Sequence, residues 1–112
     1  DKNDPTSPEI FEERYKKIIE KTLTGTCTQI VLLNPFLLDV NEKIIAMRED
    51  LCFKQEVVAA LAKEYNTKFL DLDKIFAAAA KEHTAAYYAE DGVHPTNAGH
   101  ALIAKEWLTV WD

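Results

Sequence analysis

Apolar residues along the chain alternate between stripes at helical spacing and short unbroken runs. The first stripe lies in TSPEIFEERYKKIIEKTL, where Ile10, Phe11, Tyr15, Ile18 and Ile19 recur near the helical period of about 3.6 residues. Ser7 has the side-chain acceptor an N-cap needs, Pro8 suits the first helical position, and Glu9 complements the positive end of the helix dipole. Gly25 is the expected C-cap. The run Ile30–Leu33 is β-branched at its start and closed by Asn34-Pro35, which predicts a strand buried on both faces, as in a parallel sheet. LLDVNEKIIAMRED has no clear period and reads as a connection holding at most a helical turn. A second stripe in REDLCFKQEVVAALAKEYN points Leu51, Val57, Val58, Leu61 and Tyr65 inward, with Asn66 as its stop. TKFLDLD predicts another short strand, and LDKIFAAAAKEHT a third helix capped by Asp71 or Asp73. A loop with Gly and Pro leads to the last helix, TNAGHALIAKEWLTVW, with Thr96 as N-cap and with Trp107 and Trp111 expected to bury against the sheet.

Helices alternating with strands in this way predict an α/β layered fold with a parallel sheet. Two such strands leave long unpaired edges and cannot cover the apolar stripes of the helices. The expectation is therefore part of a domain, with its other strands upstream or in another polypeptide. No repeat, linker or low-complexity segment interrupts the pattern beyond the alanines at 77–80, which are good helix formers.

Composition adds limits rather than direction. The 112 residues suffice for one domain. The formal net charge of -6 argues against nucleic acid or an anionic membrane as main partner, since each needs a basic face. No apolar run approaches the roughly 18 residues of a membrane span, and no basic-then-apolar leader opens the chain, which begins DKNDPTSPEI without Met. Cys27 and Cys52 lack metal or redox spacing. They are expected to be reduced and mostly buried, which suits a cytoplasmic protein.

Candidate chemistry is concentrated in YYAEDGVHPTNAGHALIAKEW. Asp91 and His94 share a loop bent by Gly92 and stiffened by Pro95, just ahead of a helix. Open α/β sheets place their sites on such loops, beyond the carboxyl ends of the strands. A carboxylate beside an imidazole fixes its tautomer and stabilises the imidazolium formed when it takes a proton. On composition alone the plainer reading is stronger: an aspartate capping a turn and an exposed histidine.

The wider wording changes that balance. DGVHPTNAGHALIAKEWL resembles the final block of the SGNH/GDSL hydrolases, whose motif is Asp-x-x-His in a DGxHP setting. Upstream, VLLNPFLLDVNEKIIAMREDLCFKQEVVAALAKEYNTKFLDLDKIFAAA is similar to the middle of bacterial members, with Pro-Phe after a strand and R-x-D-L opening a helix. The resemblance implies a three-layer α/β/α sandwich of flavodoxin-like arrangement with a parallel sheet. Residues 1–112 would form the C-terminal part of a single domain. It implies a serine esterase acting on small acyl or acetyl esters, with those of carbohydrates among the candidates, without cofactor or metal. Asp91 and His94 take the catalytic places of the last block. The nucleophilic serine, in a GDS block, and the oxyanion-hole glycine and asparagine belong to blocks at the front.

There the chain departs from the pattern. It has no GDS, and its only serine, Ser7, has the setting of a helix cap. Cys27 precedes a strand and Cys52 lies within a helix, so neither substitutes. Asn3-Asp4 is one candidate for the GxND block. Asp1 as the tail of that block fits the spacing to Phe11 better and leaves Asn3 a loop residue. The expected partner is the missing N-terminal segment of the same domain, alongside a small ester substrate. A shortened, non-catalytic relative used for binding or assembly is the alternative, and a metal hydrolase using Asp91, His94 and His100 a weaker third. His100 and His83 are otherwise expected to be structural, His83 as a charge near a helix C-terminus. Phe36, Tyr87 and Tyr88 are expected to pack near the site or line it.

Overall fold

The computed structural model describes residues 7–25 and 29–111. The chain runs α1 (Pro8–Gly25), β1 (Val31–Leu33), α2 (Glu42–Ala46), α3 (Arg48–Glu64), β2 (Lys68–Leu70), α4 (Leu72–Ala79), α5 (Ala85–Tyr88) and α6 (Asn97–Thr109). Local chemistry sets these boundaries. Ser7 Oγ accepts from the Ile10 amide at 3.2 Å at the start of α1. Asp71, rather than Asp73, caps α4 through the Lys74 amide at 3.1 Å. Thr96 caps α6 through Gly99 at 3.2 Å. Asn66, at φ 53°, stops the chain after α3 in the left-handed conformation that Asn tolerates better than most residues.

β1 and β2 pair in parallel, with Val31 opposite Lys68, Leu32 opposite Phe69 and Leu33 opposite Leu70. Alternation along a strand sends Leu32 and Leu33 to opposite faces. Leu32 joins Ile19, Val58, Leu61 and Ala62 in a core built with α1 and α3. Leu33 packs on the second core, of Leu38, Leu70, Leu72, Phe76, Tyr88 and Ala89, which Leu102 and Ile103 of α6 also touch. Helices thus cover both faces of the sheet, and the architecture is the three-layer α/β/α arrangement. Among the described residues no helix is long and apolar enough to cross a membrane.

Several expectations are corrected. Two short helices stand where none or only a turn was expected. α2 is capped by Asn41, which accepts from the Ile44 amide, and α5 by Thr84, which accepts from the Tyr87 amide. Trp107 and Trp111 do not bury against the sheet: they are 37% and 46% exposed and pack edge to face with each other. α6 spends its inward face on Gly99, Leu102 and Ile103, and Trp111 instead lies under the Lys68 ammonium, 5.6 Å from its ring centre. Cys52 is exposed, because α3 turns Leu51, Val58 and Leu61 inward and residue 52 away. α1 includes Gly25, which does not take a left-handed conformation. His83 follows the end of α4 and stacks on Tyr87 with centroids 4.4 Å apart. Asp1, Asn3 and Cys27 lie outside the described residues.

Candidate active site

The loop carrying Asp91 and His94 leaves α5 and returns at the cap of α6. Its neck is closed by Thr96, whose amide donates to the Tyr88 carbonyl at 2.8 Å and whose hydroxyl donates to the Tyr87 carbonyl at 2.7 Å. Gly99 lets α6 approach this neck, since a Cβ there would collide with the Tyr88 carbonyl oxygen. Within the loop the Gly92 amide donates to Ala89, and the Gly92 carbonyl accepts from the Leu38 amide at 3.0 Å. Gly92 has φ +81°, and a Cβ there would lie 2.6 Å from the Leu38 carbonyl oxygen. Glycine is required at this position on both grounds.

On this frame Asp91 does two things at once. Its Oδ1 accepts from the amides of Val93 at 2.8 Å and His94 at 2.7 Å, capping the turn. Its Oδ2 lies 2.6 Å from His94 Nδ1. One side chain therefore both caps the turn and meets the imidazole. The amide and ring N–H of His94, then the amide of Val93, hold the Asp91 carboxyl well below the usual carboxylate range. An ionised carboxylate only accepts, so the proton of this contact sits on Nδ1 and the neutral ring keeps a free lone pair on Nε2. The His94 side chain is 84% exposed. Such an imidazole can take a proton at Nε2 while Asp91 stabilises the cation that results.

The other sequence candidates are less directly placed. His100 is exposed in the first turn of α6, its amide donating to Thr96. Among the described residues no group of three or more His, Cys, Asp or Glu is arranged to hold a metal ion. Tyr88 is buried and Tyr87 half exposed. Phe36 packs on Phe76, with centroids 4.4 Å apart.

Sequence reasoning did not bring together the polar groups around the segment that Gly92 contacts. Asn34, buried at the end of β1, donates from Nδ2 to Asp71 Oδ1 at 2.9 Å. Arg48 reaches Asp39 at 2.6 Å, Asp73 at 3.1 Å and the carbonyl oxygen of Leu37. Asp73 also accepts from the Leu37 amide at 3.2 Å. One signal was available: a cation at the first position of a helix stands at the wrong end of the dipole and needs a reason.

Residues 1–102 match the GDSL-like lipase/acylhydrolase family, and the chain belongs to it. It is 35% identical over 102 residues to an acetylxylan esterase from Geobacillus stearothermophilus, covering 88% of this chain and 46% of that protein. The fold superposes on a crystal structure of a GDSL-like lipase from Parabacteroides merdae with a TM-score of 0.85 and 30% identity, over 93% of this chain and 49% of that one. A structure of the Geobacillus esterase Axe2 gives 0.80 and 29%, over 93% and 47%. Structures of Axe2 include catalytic mutants in which a serine or a histidine is replaced by alanine. The fold is that of the GDSL/SGNH hydrolases, and the chain spans about half the length of the relatives it matches.

Proposed function

We propose that this chain supplies the acid and the base of an SGNH-type serine esterase that hydrolyses small acyl or acetyl esters, including those of carbohydrates. The observation that carries the reading is the Nδ1–Oδ2 contact of 2.6 Å, which leaves Nε2 free on an exposed ring. Membership of the acylhydrolase family and the likeness to an acetylxylan esterase support it. In this mechanism a serine hydroxyl attacks the ester carbonyl while His94 Nε2 takes its proton. Asp91 holds the ring and stabilises the imidazolium. His94 then gives the proton to the departing alcohol, and water, activated by the same nitrogen, releases the acid and restores the serine.

The serine of this triad comes from polypeptide outside these 112 residues, because Ser7 is occupied as the cap of α1. The rest of the same domain is the partner that brings it, together with further parallel strands. Two observations support that partner. The two-stranded sheet has open edges among the described residues. The buried Oδ1 of Asn34, at the end of β1, has no donor among them, and buried acceptors are normally paired.

The test is hydrolysis of p-nitrophenyl acetate by the complete protein that contains this chain, with fluorophosphonate labelling of its serine. His94→Ala should lower turnover by about 10⁴-fold or more. A His94→Ala protein as active as its parent overturns the assignment. A complete protein with no labelled serine and no turnover points instead to the non-catalytic relative.

A further inference from the structure

Arg48 stands where a helix disfavours it. It opens α3, at the end of the helix dipole that disfavours a cation, while its neighbours Glu49 and Asp50 follow the rule that it breaks. Its guanidinium is answered from outside the helix. Nε donates to Asp39 Oδ1 at 2.6 Å, Nη1 to Asp73 Oδ2 at 3.1 Å, and Nη2 to the Leu37 carbonyl. Asp73, from the first turn of α4, accepts from the Leu37 amide at 3.2 Å. One ion pair therefore holds both main-chain groups of Leu37, the arginine its C=O and the aspartate its N–H. Both side chains are partly withdrawn from water, at 32% and 19% exposure.

The next residue carries this restraint to the loop. Leu38 is buried, and its amide donates to the Gly92 carbonyl at 3.0 Å. Its own carbonyl oxygen lies so close to Gly92 that no Cβ fits between them. Gly92 in turn links Asp91 to the turn that presents His94. We propose that Arg48, acting with Asp73, is a positioning residue for the Asp91–His94 pair. It fixes the Leu37–Leu38 main chain, the shelf on which Gly92 rests, and through it the place of the imidazole. This rests on the esterase reading above and deepens it. A displacement of about 1 Å in a catalytic group is enough to cost on the order of 10²-fold in rate. The fork of a guanidinium can serve a carbonyl and two carboxylates together, which an ammonium cannot match in geometry.

The experiment uses the complete protein with Arg48→Met, Arg48→Lys and Asp73→Asn, and with Lys17→Met, on the exposed face of α1, as the charge-loss control. It measures p-nitrophenyl acetate kinetics, thermal unfolding and the downfield proton resonance of His94 Nδ1. Arg48→Met is expected to lower kcat about 10- to 100-fold with KM within about twofold, and to shift or broaden the resonance while the protein remains folded. Arg48→Lys should recover part of the loss, and Lys17→Met should change neither readout. Should Arg48→Met fail to fold, Asp73→Asn, which keeps an acceptor for the Leu37 amide but loses the charge, is judged by the same two readouts. A folded variant with unchanged kcat and resonance, or one altered only in its melting temperature, overturns the proposal. A parent protein without esterase turnover sinks the esterase reading alone. The resonance, read without substrate, then decides: moved, it supports the positioning role, and unmoved, it overturns it.

Discussion

The loop of residues 89–96 and the segment of residues 34–39 are joined by the Leu38–Gly92 hydrogen bond, yet they are ordered by different means. The loop turns its chemical groups outward and is held by contacts between near neighbours in sequence: Asp91 to Val93 and His94, and Thr96 to Tyr87 and Tyr88. The segment buries Leu37 and Leu38 and is held by side chains from distant elements, Arg48 of α3 and Asp73 of α4. The lesson is a separation of tasks. In the proposed esterase, the groups that would meet a substrate stay at the surface on a short self-closing turn, and the segment beneath it is held by side chains of two helices.

The comparison predicts that damage to the two regions will look different. In the loop, Asp91→Asn should cost catalysis on the order of 10⁴-fold, somewhat less than His94→Ala. Thermal unfolding should show the variant folded at assay temperature, because the amide side chain still caps the turn; a loss of turnover that merely follows unfolding would break the distinction. Below it, Leu38→Ala should cost stability first, about 2–5 kcal/mol by chemical denaturation, because Leu38 packs against Leu70, Leu72, Phe76 and Tyr88. Between the two, Gly92→Ala should cost about 1–3 kcal/mol and reduce turnover as well, since an alanine would be strained at this φ and would collide with the Leu38 carbonyl oxygen. A Gly92→Ala protein with parental stability and rate would show that loop and shelf are uncoupled.

The smallest effect concerns pH. The folded carboxyl of Asp91 is depressed below its ordinary value of 3.8. Its contribution to stability is thus complete above the unfolded value and is lost as pH falls through the folded one. The His94 Nδ1 proton signal should accordingly persist on acidification through pH 3.8 for as long as the chain stays folded. Its disappearance at the ordinary carboxylate titration, in a folded protein, would contradict the three hydrogen bonds assigned to Asp91.

Much of this architecture is legible along the chain because the signals are local. Ser7-Pro8, Asp71, Thr96 and Asn66 mark helix ends through chemistry confined to a few residues. The meeting of Asp91 with His94 is legible for the same reason, since it spans one turn. α2 and α5 were hidden because helices of five and four residues are too short to display a period. Only Asn41 and Thr84 announce them, through their caps. The outward Trp107 and Trp111 were misjudged because size and apolarity say that a residue prefers burial, not that its helix still overlies the sheet where it falls. The hold of Arg48 on Leu37 was harder to read for a further reason: an arginine's partners are chosen by the tertiary fold, and the three it finds here are divided between residues 37–39 and the distant Asp73.

The parallel pairing of β1 with β2 has a consequence for how the molecule assembles. Val31 meets Lys68 only after the whole helical crossover between them has been threaded over one face. No tight turn can bring these strands together in advance, so the entropy of closing a long loop falls on the earliest ladder contacts. The docking of α3 on α1 through Val58, Leu61 and Ile19 offers a contact that β2 need not be present to make. On a ribosome, that helical pair emerges before the second strand, which would then arrive at a groove already shaped to receive it.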